Sequence, residues 1–117
     1  MSNFQMPQHV IDRVMEKRGR LNVFESFEPE KTALLIVDMQ NFFVDGVQPC
    51  LDVMPNINRL AEVVRRSGGL VVWVVLTVAE TEDGPSLWPV YHDNFFTEAK
   101  MQAHKKGLTR GSPGHAI

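Results

Sequence analysis

The amino-acid sequence predicts an α/β protein built on a parallel sheet, of which it holds a first βαβ portion preceded by a helix. Two segments carry this. "TALLIVD" (32–38) and "LVVWVVLTV" (70–78) are continuous apolar runs without the alternation of a one-sided strand. Short unbroken runs of this kind fit strands buried on both faces, the habit of parallel sheets. Between them "MPNINRLAEVVRRSGG" places Ile57, Leu60, Ala61 and Val64 on one helical face, with Arg59, Glu62, Arg65 and Arg66 largely on the other. Pro55 suits a helix start and Gly68 or Gly69 a helix end. Strand, helix, strand over residues 32–78 is a βαβ unit of ordinary length, with a right-handed crossover expected.

In chain order, "PQHVIDRVMEKRG" comes first. Val10, Ile11, Val14 and Met15 recur at helical spacing, with Pro7 before them and Gly19 as a stop. "FEPEK" reads as a turn. Beyond the second strand, "ETEDGPSLWPVYHDN" is loop by its turn residues, "FFTEAKMQAHKKG" is a short helix ending at Gly107, and "GSPGHAI" is a Gly/Pro turn. No repeat or low-complexity tract interrupts the chain. The organisation expected over residues 1–117 is a helical arm (1–30), then a βαβ core with its following loop and helix (31–117), together the N-terminal part of a single domain. Two strands this apolar leave faces and edges uncovered by so few helices. The inventory is therefore the first half of an α/β domain, completed by a downstream half or by association with other polypeptide.

Composition narrows the function classes. The 117 residues are 44% hydrophobic and 22% charged, with formal net charge −2, values of a folded soluble domain without the basic footprint of a nucleic-acid or anionic-membrane binder. The first twenty residues show no apolar core of a secretory signal, and "LVVWVVLTVA" is about half a membrane span. The one cysteine, Cys50, excludes an internal disulfide and points to a reducing, cytoplasmic setting.

The candidate for chemistry is Asp38, placed where the first apolar run stops. In open α/β sheets ligands bind beyond the carboxyl ends of the strands. An aspartate there either serves that site or caps its own turn, and position alone leaves both open. "ALLIVDMQNFFV" resembles the opening strand and loop of the isochorismatase-like hydrolases, the cysteine hydrolase superfamily of nicotinamidases, N-carbamoylsarcosine amidohydrolases, ureidoacrylate hydrolases and isochorismatases. "MPNINRLAEVVRRSGGLVVWV" is similar to that family's first helix and second strand, and "GSPGHAI" to the turn before its third strand. Residues 31–78 carry most of the likeness.

The resemblance implies a three-layer αβα, Rossmann-like parallel sheet and a catalytic triad of aspartate, lysine and cysteine. Asp38 matches the aspartate, which takes the thiol proton while the cysteine attacks an amide-type carbonyl. It implies hydrolysis of a C–N bond in a small amide, carbamoyl or ureido compound, or vinyl-ether cleavage as in isochorismatase. A catalytically incomplete partner or interaction subunit of the same fold is the alternative. The family's lysine lies in its third strand and its cysteine at a later helix start, and no residue here stands at a matching position. Lys100, Lys105 and Lys106 precede the "GSPG" turn and read as a helix's polar face; Cys50 lies in the loop before the first helix and reads as apolar filler.

Around the pocket the same likeness puts Gln40, which could orient the loop by hydrogen bonding, and Phe43 as an apolar wall, with ordinary core the competing reading for Phe42 and Phe43. Trp88, with Tyr91 and His92, reads as a substrate wall or as packing. His9, His92, His104 and His115 show no ligand spacing, and "TVAETEDG" has no histidine where nicotinamidases carry a metal ligand; no metal and no cofactor are implied. The partners expected are a small-molecule substrate, no nucleic acid, no membrane, and either a homo-oligomer or a second chain that supplies the C-terminal half.

Overall fold

The computed structural model describes residues 5–117, so the first four residues of the stretch read for a leader lie outside it. The elements run α1 (Gln8–Arg18), a 3-10 turn (Pro29–Lys31), β1 (Ala33–Val37), α2 (Asn41–Val44), α3 (Gln48–Arg66), β2 (Leu70–Val74), α4 (Pro89–Phe95) and α5 (Glu98–Leu108). Strands β1 and β2 pair in parallel, from Ala33 opposite Leu70 to Val37 opposite Val74. With α3 as the crossover this is the expected βαβ unit.

Helix α1 is bounded as its sequence dictates. Pro7 precedes it, and Gly19 ends it in the left-handed conformation, its N–H donating to Met15 O at 2.8 Å. Helix α3 begins earlier than expected. Pro49 stands in its first turn and Pro55 lies inside it, so Pro55 does not mark the start. A proline in the first turn gives up a donor that would be unpaired anyway; one inside costs a helix hydrogen bond, here outweighed by packing of the apolar stripe on the sheet. Ala61 is buried and Ile57 and Val64 half-buried, whereas Leu60, expected on that stripe, is half exposed. Cys50, expected in a loop, lies in the first turn of α3.

Strand β2 stops at Val74, short of the apolar run that contains it. Beyond it the Leu76 backbone pairs with the Gln40 side chain, so the chain leaves the sheet here. The segment expected to be all loop contains α4, which starts at Pro89. Helix α5 starts where Thr97 accepts a hydrogen bond from Lys100 N–H and runs one residue past Gly107.

Helix α3 covers one face of the sheet, where Ile36 is buried and Leu34, Val71 and Trp73 are half-buried. The other face is open: Leu35 is 59% exposed and Leu70 61%. Burial on both faces, expected for these strands, is therefore met on one face among the described residues. Six apolar positions in register (Ala33, Leu35 and Val37 opposite Leu70, Val72 and Val74) form that open face.

A second small core ties the chain's distant parts together. Val78, Ala79 and Leu108 are fully buried. Val78 N–H donates to Leu108 O and Arg110 N–H to Ala79 O, both at 3.0 Å. Arg110 forms a two-pronged ion pair with Glu80 across this junction. The guanidinium holds the Glu80 carboxyl below its usual range. Phe42 packs edge-on against Phe43 and His104, and its ring fills the space a side chain at Gly107 would need. Helix propensity alone favours alanine over Gly107 by about 0.8–1 kcal/mol. The expected result of Gly107→Ala is the opposite sign, a net loss of about 1–2 kcal/mol from overpacking, read from urea unfolding; a gain in stability would show that Phe42 moves aside freely.

Candidate active site

Asp38 directly follows β1 and lies at the carboxyl edge of the parallel sheet, the position where open α/β sheets bind ligands. Its backbone is unusual. With φ +58°, Asp38 is the one non-glycine residue in the left-handed region among the described residues. Its N–H donates to Val74 O at 3.0 Å, which continues the ladder for one residue before the chain turns. An L-residue pays about 1 kcal/mol for this conformation, less for Asp and Asn, whose short polar side chains tolerate it. The carboxylate is exposed.

Two residues on, Gln40 is fully buried. Its Nε2 donates to Leu76 O and His115 O, each at 3.0 Å, and its Oε1 accepts from Leu76 N–H at 2.7 Å. A single amide thus joins the loop after β1 to the loop after β2 and to the "GSPGHAI" turn. The turn is fastened a second time: Asn41 N–H donates to Ala116 O and Phe42 N–H to Gly114 O, both at 2.9 Å, and Asn41 Nδ2 donates to Pro113 O at 3.0 Å. Gln40 fastens the loop, with both amide N–H groups spent on backbone carbonyls and the side chain fully buried.

The other expected site residues are more dispersed. Phe43 is half-buried beside Phe42. Trp88, half exposed, stacks on Tyr91 with ring centroids 4.5 Å apart and planes 17° from parallel. His92 is buried, with Nδ1 hydrogen-bonded to Ser86 Oγ. A mostly apolar pocket of about 290 Å³ opens under the Asp38 loop, lined by Met39, Met54, Ile57, Asn58, Trp73 and Ile117. Its lining includes neither Asp38 nor Phe43 nor Trp88. Among the described residues, no three His, Cys, Asp or Glu side chains stand close enough to hold a metal ion, and no helix is long and apolar enough to cross a membrane.

A further side-chain contact joins the loops at this edge. His115 Nε2 lies 2.8 Å from Thr77 Oγ1, so an imidazole is held between the loop after β2 and the turn. The two residues are far apart in sequence and neither has a local motif, which leaves no sequence signal for the pair.

A parallel βαβ unit with an acid in a left-handed turn at the end of its first strand defines the beginning of a Rossmann-like α/β sheet. The model of the isochorismatase domain family matches residues 32–117, and the chain belongs to that family. It is 43% identical over 49 residues to a probable inactive nicotinamidase of Arabidopsis thaliana. That match covers 38% of this chain and 25% of the relative. No solved structure matches the chain significantly.

Proposed function

We propose that this chain contributes the acid/base half of a hydrolase site that acts on a C–N bond of a small amide, carbamoyl or ureido compound. Asp38 takes the proton of a cysteine thiol and a lysine steadies the negative charge of the aspartate; the thiolate attacks the substrate carbonyl, the C–N bond breaks as Asp38 returns the proton to the leaving nitrogen, and water then hydrolyses the thioester and frees the thiol. The lysine and cysteine come from polypeptide outside these 117 residues, either a downstream half or a second chain, which would also cover the open sheet face. The observation that carries the reading is the backbone at Asp38. A family aspartate held in a sparsely populated conformation, with its loop locked by Gln40, is what a site that must fix a carboxylate in place requires.

The name of the Arabidopsis relative favours a second reading, in which this chain keeps the fold without the reaction. One assay separates them. The protein together with whatever polypeptide co-purifies is offered a panel of small primary amides, carbamoyl and ureido compounds, and ammonia release is followed. Intact-mass analysis looks for an acyl adduct on a cysteine. Turnover with a trapped thioester supports the hydrolase; no release of ammonia with any of them, in a folded and complete assembly, supports the silent subunit.

A further inference from the structure

We propose that His104 is a pH-sensitive latch that fastens α5 to the loop carrying Asp38. It goes beyond the proposed reaction and does not depend on it. The imidazole sits on the contact between α5 and α2. Its ring lies edge-on to Phe42 at 5.2 Å and to Phe96 at 4.5 Å, centroid to centroid. Its Nδ1 is buried without a hydrogen-bond partner. A neutral ring suits that setting as an aromatic filler. A charged ring must donate from both nitrogens, and Nδ1 has neither solvent nor an acceptor to receive its hydrogen.

The surrounding charges act in the same direction. Helix α4 contributes a second imidazole, His92, with its centroid 6.1 Å from that of His104. Helix α5 contributes Lys100, whose Nζ stands 4.4 Å over the Phe96 ring, a second positive charge near the imidazole. Helix α2 presents the Phe42 phenyl. Asp93 of α4 and Glu98 at the start of α5 line a surface pocket shared with His92 and Phe96; both are exposed, where solvent screens their pull. Burial first, then His92 and Lys100, hold the His104 imidazole below its ordinary value.

The latch reaches the site through Phe42, which is wedged against His104 and Gly107 and whose N–H is held by Gly114 O. Phe42 lies four positions along the chain from Asp38. Protonation of His104 therefore loosens the contact that holds the Asp38 loop from the α5 side. The sign follows from linkage. A histidine with a depressed folded-state pKa stabilises the latched form fully above its unfolded value near 6.5, and this is lost progressively as pH falls below that value and through the lower folded one.

The experiment uses the full chain. His104 Cε1–H is followed by NMR from about pH 7.5 to about pH 5, together with hydrogen exchange at the Asn41 and Phe42 amides, corrected for intrinsic rates. The expected result is a His104 midpoint below that of a free imidazole and a loss of protection at both amides of about tenfold over the same range. His104→Phe keeps the aromatic filler and is expected to hold protection within about twofold throughout. His104→Gln, neutral but polar, serves if the phenylalanine variant misfolds and is likewise expected to show no pH step. Equal loss of protection in the wild type and either variant, or a His104 that titrates with no change at Phe42, overturns the proposal.

Discussion

Asp38→Asn is expected to lower kcat of the complete enzyme by about 10²–10⁴-fold, the usual contribution of a general base, with the thermal midpoint unchanged. Asparagine is nearly isosteric with aspartate and tolerates the left-handed backbone as well. The substitution therefore removes the proton acceptor and leaves the turn intact. Two further variants separate chemistry from geometry. Asp38→Gly relaxes the φ of +58° but adds unfolded-state freedom, so the two effects roughly cancel and stability changes by less than about 1 kcal/mol. Asp38→Ala keeps a Cβ without the compensating polar group and is expected to cost about 1 kcal/mol as well as activity. Three variants that lose turnover alike, only one of which loses stability, identify Asp38 as the base. If Asp38→Asn keeps near-normal turnover, the carboxylate serves its turn and the proposed chemistry fails.

How much of this was legible in the sequence depends on the range of the interaction. Local signals held. The apolar runs became β1 and β2, Gly19 ended α1, and "FEPEK" formed its turn, because strand burial, left-handed caps and proline turns are settled within a few residues. The boundary errors have a common cause. Pro55 looked like a helix start because a proline inside a helix is costly, yet the stripe of Ile57, Ala61 and Val64 packs on the sheet and outweighs it. Strand β2 looked longer than it is because valines at 75 and 78 continue the pattern. It ends at Val74 because a glutamine 36 residues earlier takes the Leu76 backbone. The two-faced burial expected of the strands is satisfied on the α3 side alone.

At the candidate site the same division applies. The position of Asp38 followed from where an apolar run stopped. Its left-handed backbone did not, since nothing in "IVDMQN" requires a positive φ. The loop-orienting work of Gln40 was readable only as a possibility, since its partners lie at Leu76 and His115. The separation of Trp88 from the pocket beside Met39 depends on the α4 aromatic stack, for which the sequence offers composition but no geometry.

Gln40 carries the largest expected effect on stability. Its amide is buried completely and makes one accepted and two donated hydrogen bonds, all to backbone. Gln40→Ala leaves Leu76 N–H and two carbonyls without partners and opens a cavity. Each stranded buried group costs about 1–3 kcal/mol, and partial access of water returns some of it, so a net loss of about 3 kcal/mol is expected. Gln40→Glu tests the direction of the bonds. Two of the three partners are carbonyl oxygens, and a carboxylate there meets two acceptors with no proton to give them. Burial and this repulsion raise the folded-state pKa of the glutamate above its unfolded value near 4.3. Its neutral form is then present below that value and is lost as pH rises through the folded pKa. Relative to the wild type at each pH, Gln40→Glu is thus expected to be as unstable as Gln40→Ala at neutral pH and to recover part of the loss in acid, where the protonated carboxyl donates to one carbonyl. Urea unfolding of the three proteins across pH measures this, and taking differences removes the opposing contribution of His104. Gln40→Ala within about 0.5 kcal/mol of the wild type would mean that the loops after β1 and β2 are held by the Asn41 and Phe42 backbone bonds alone.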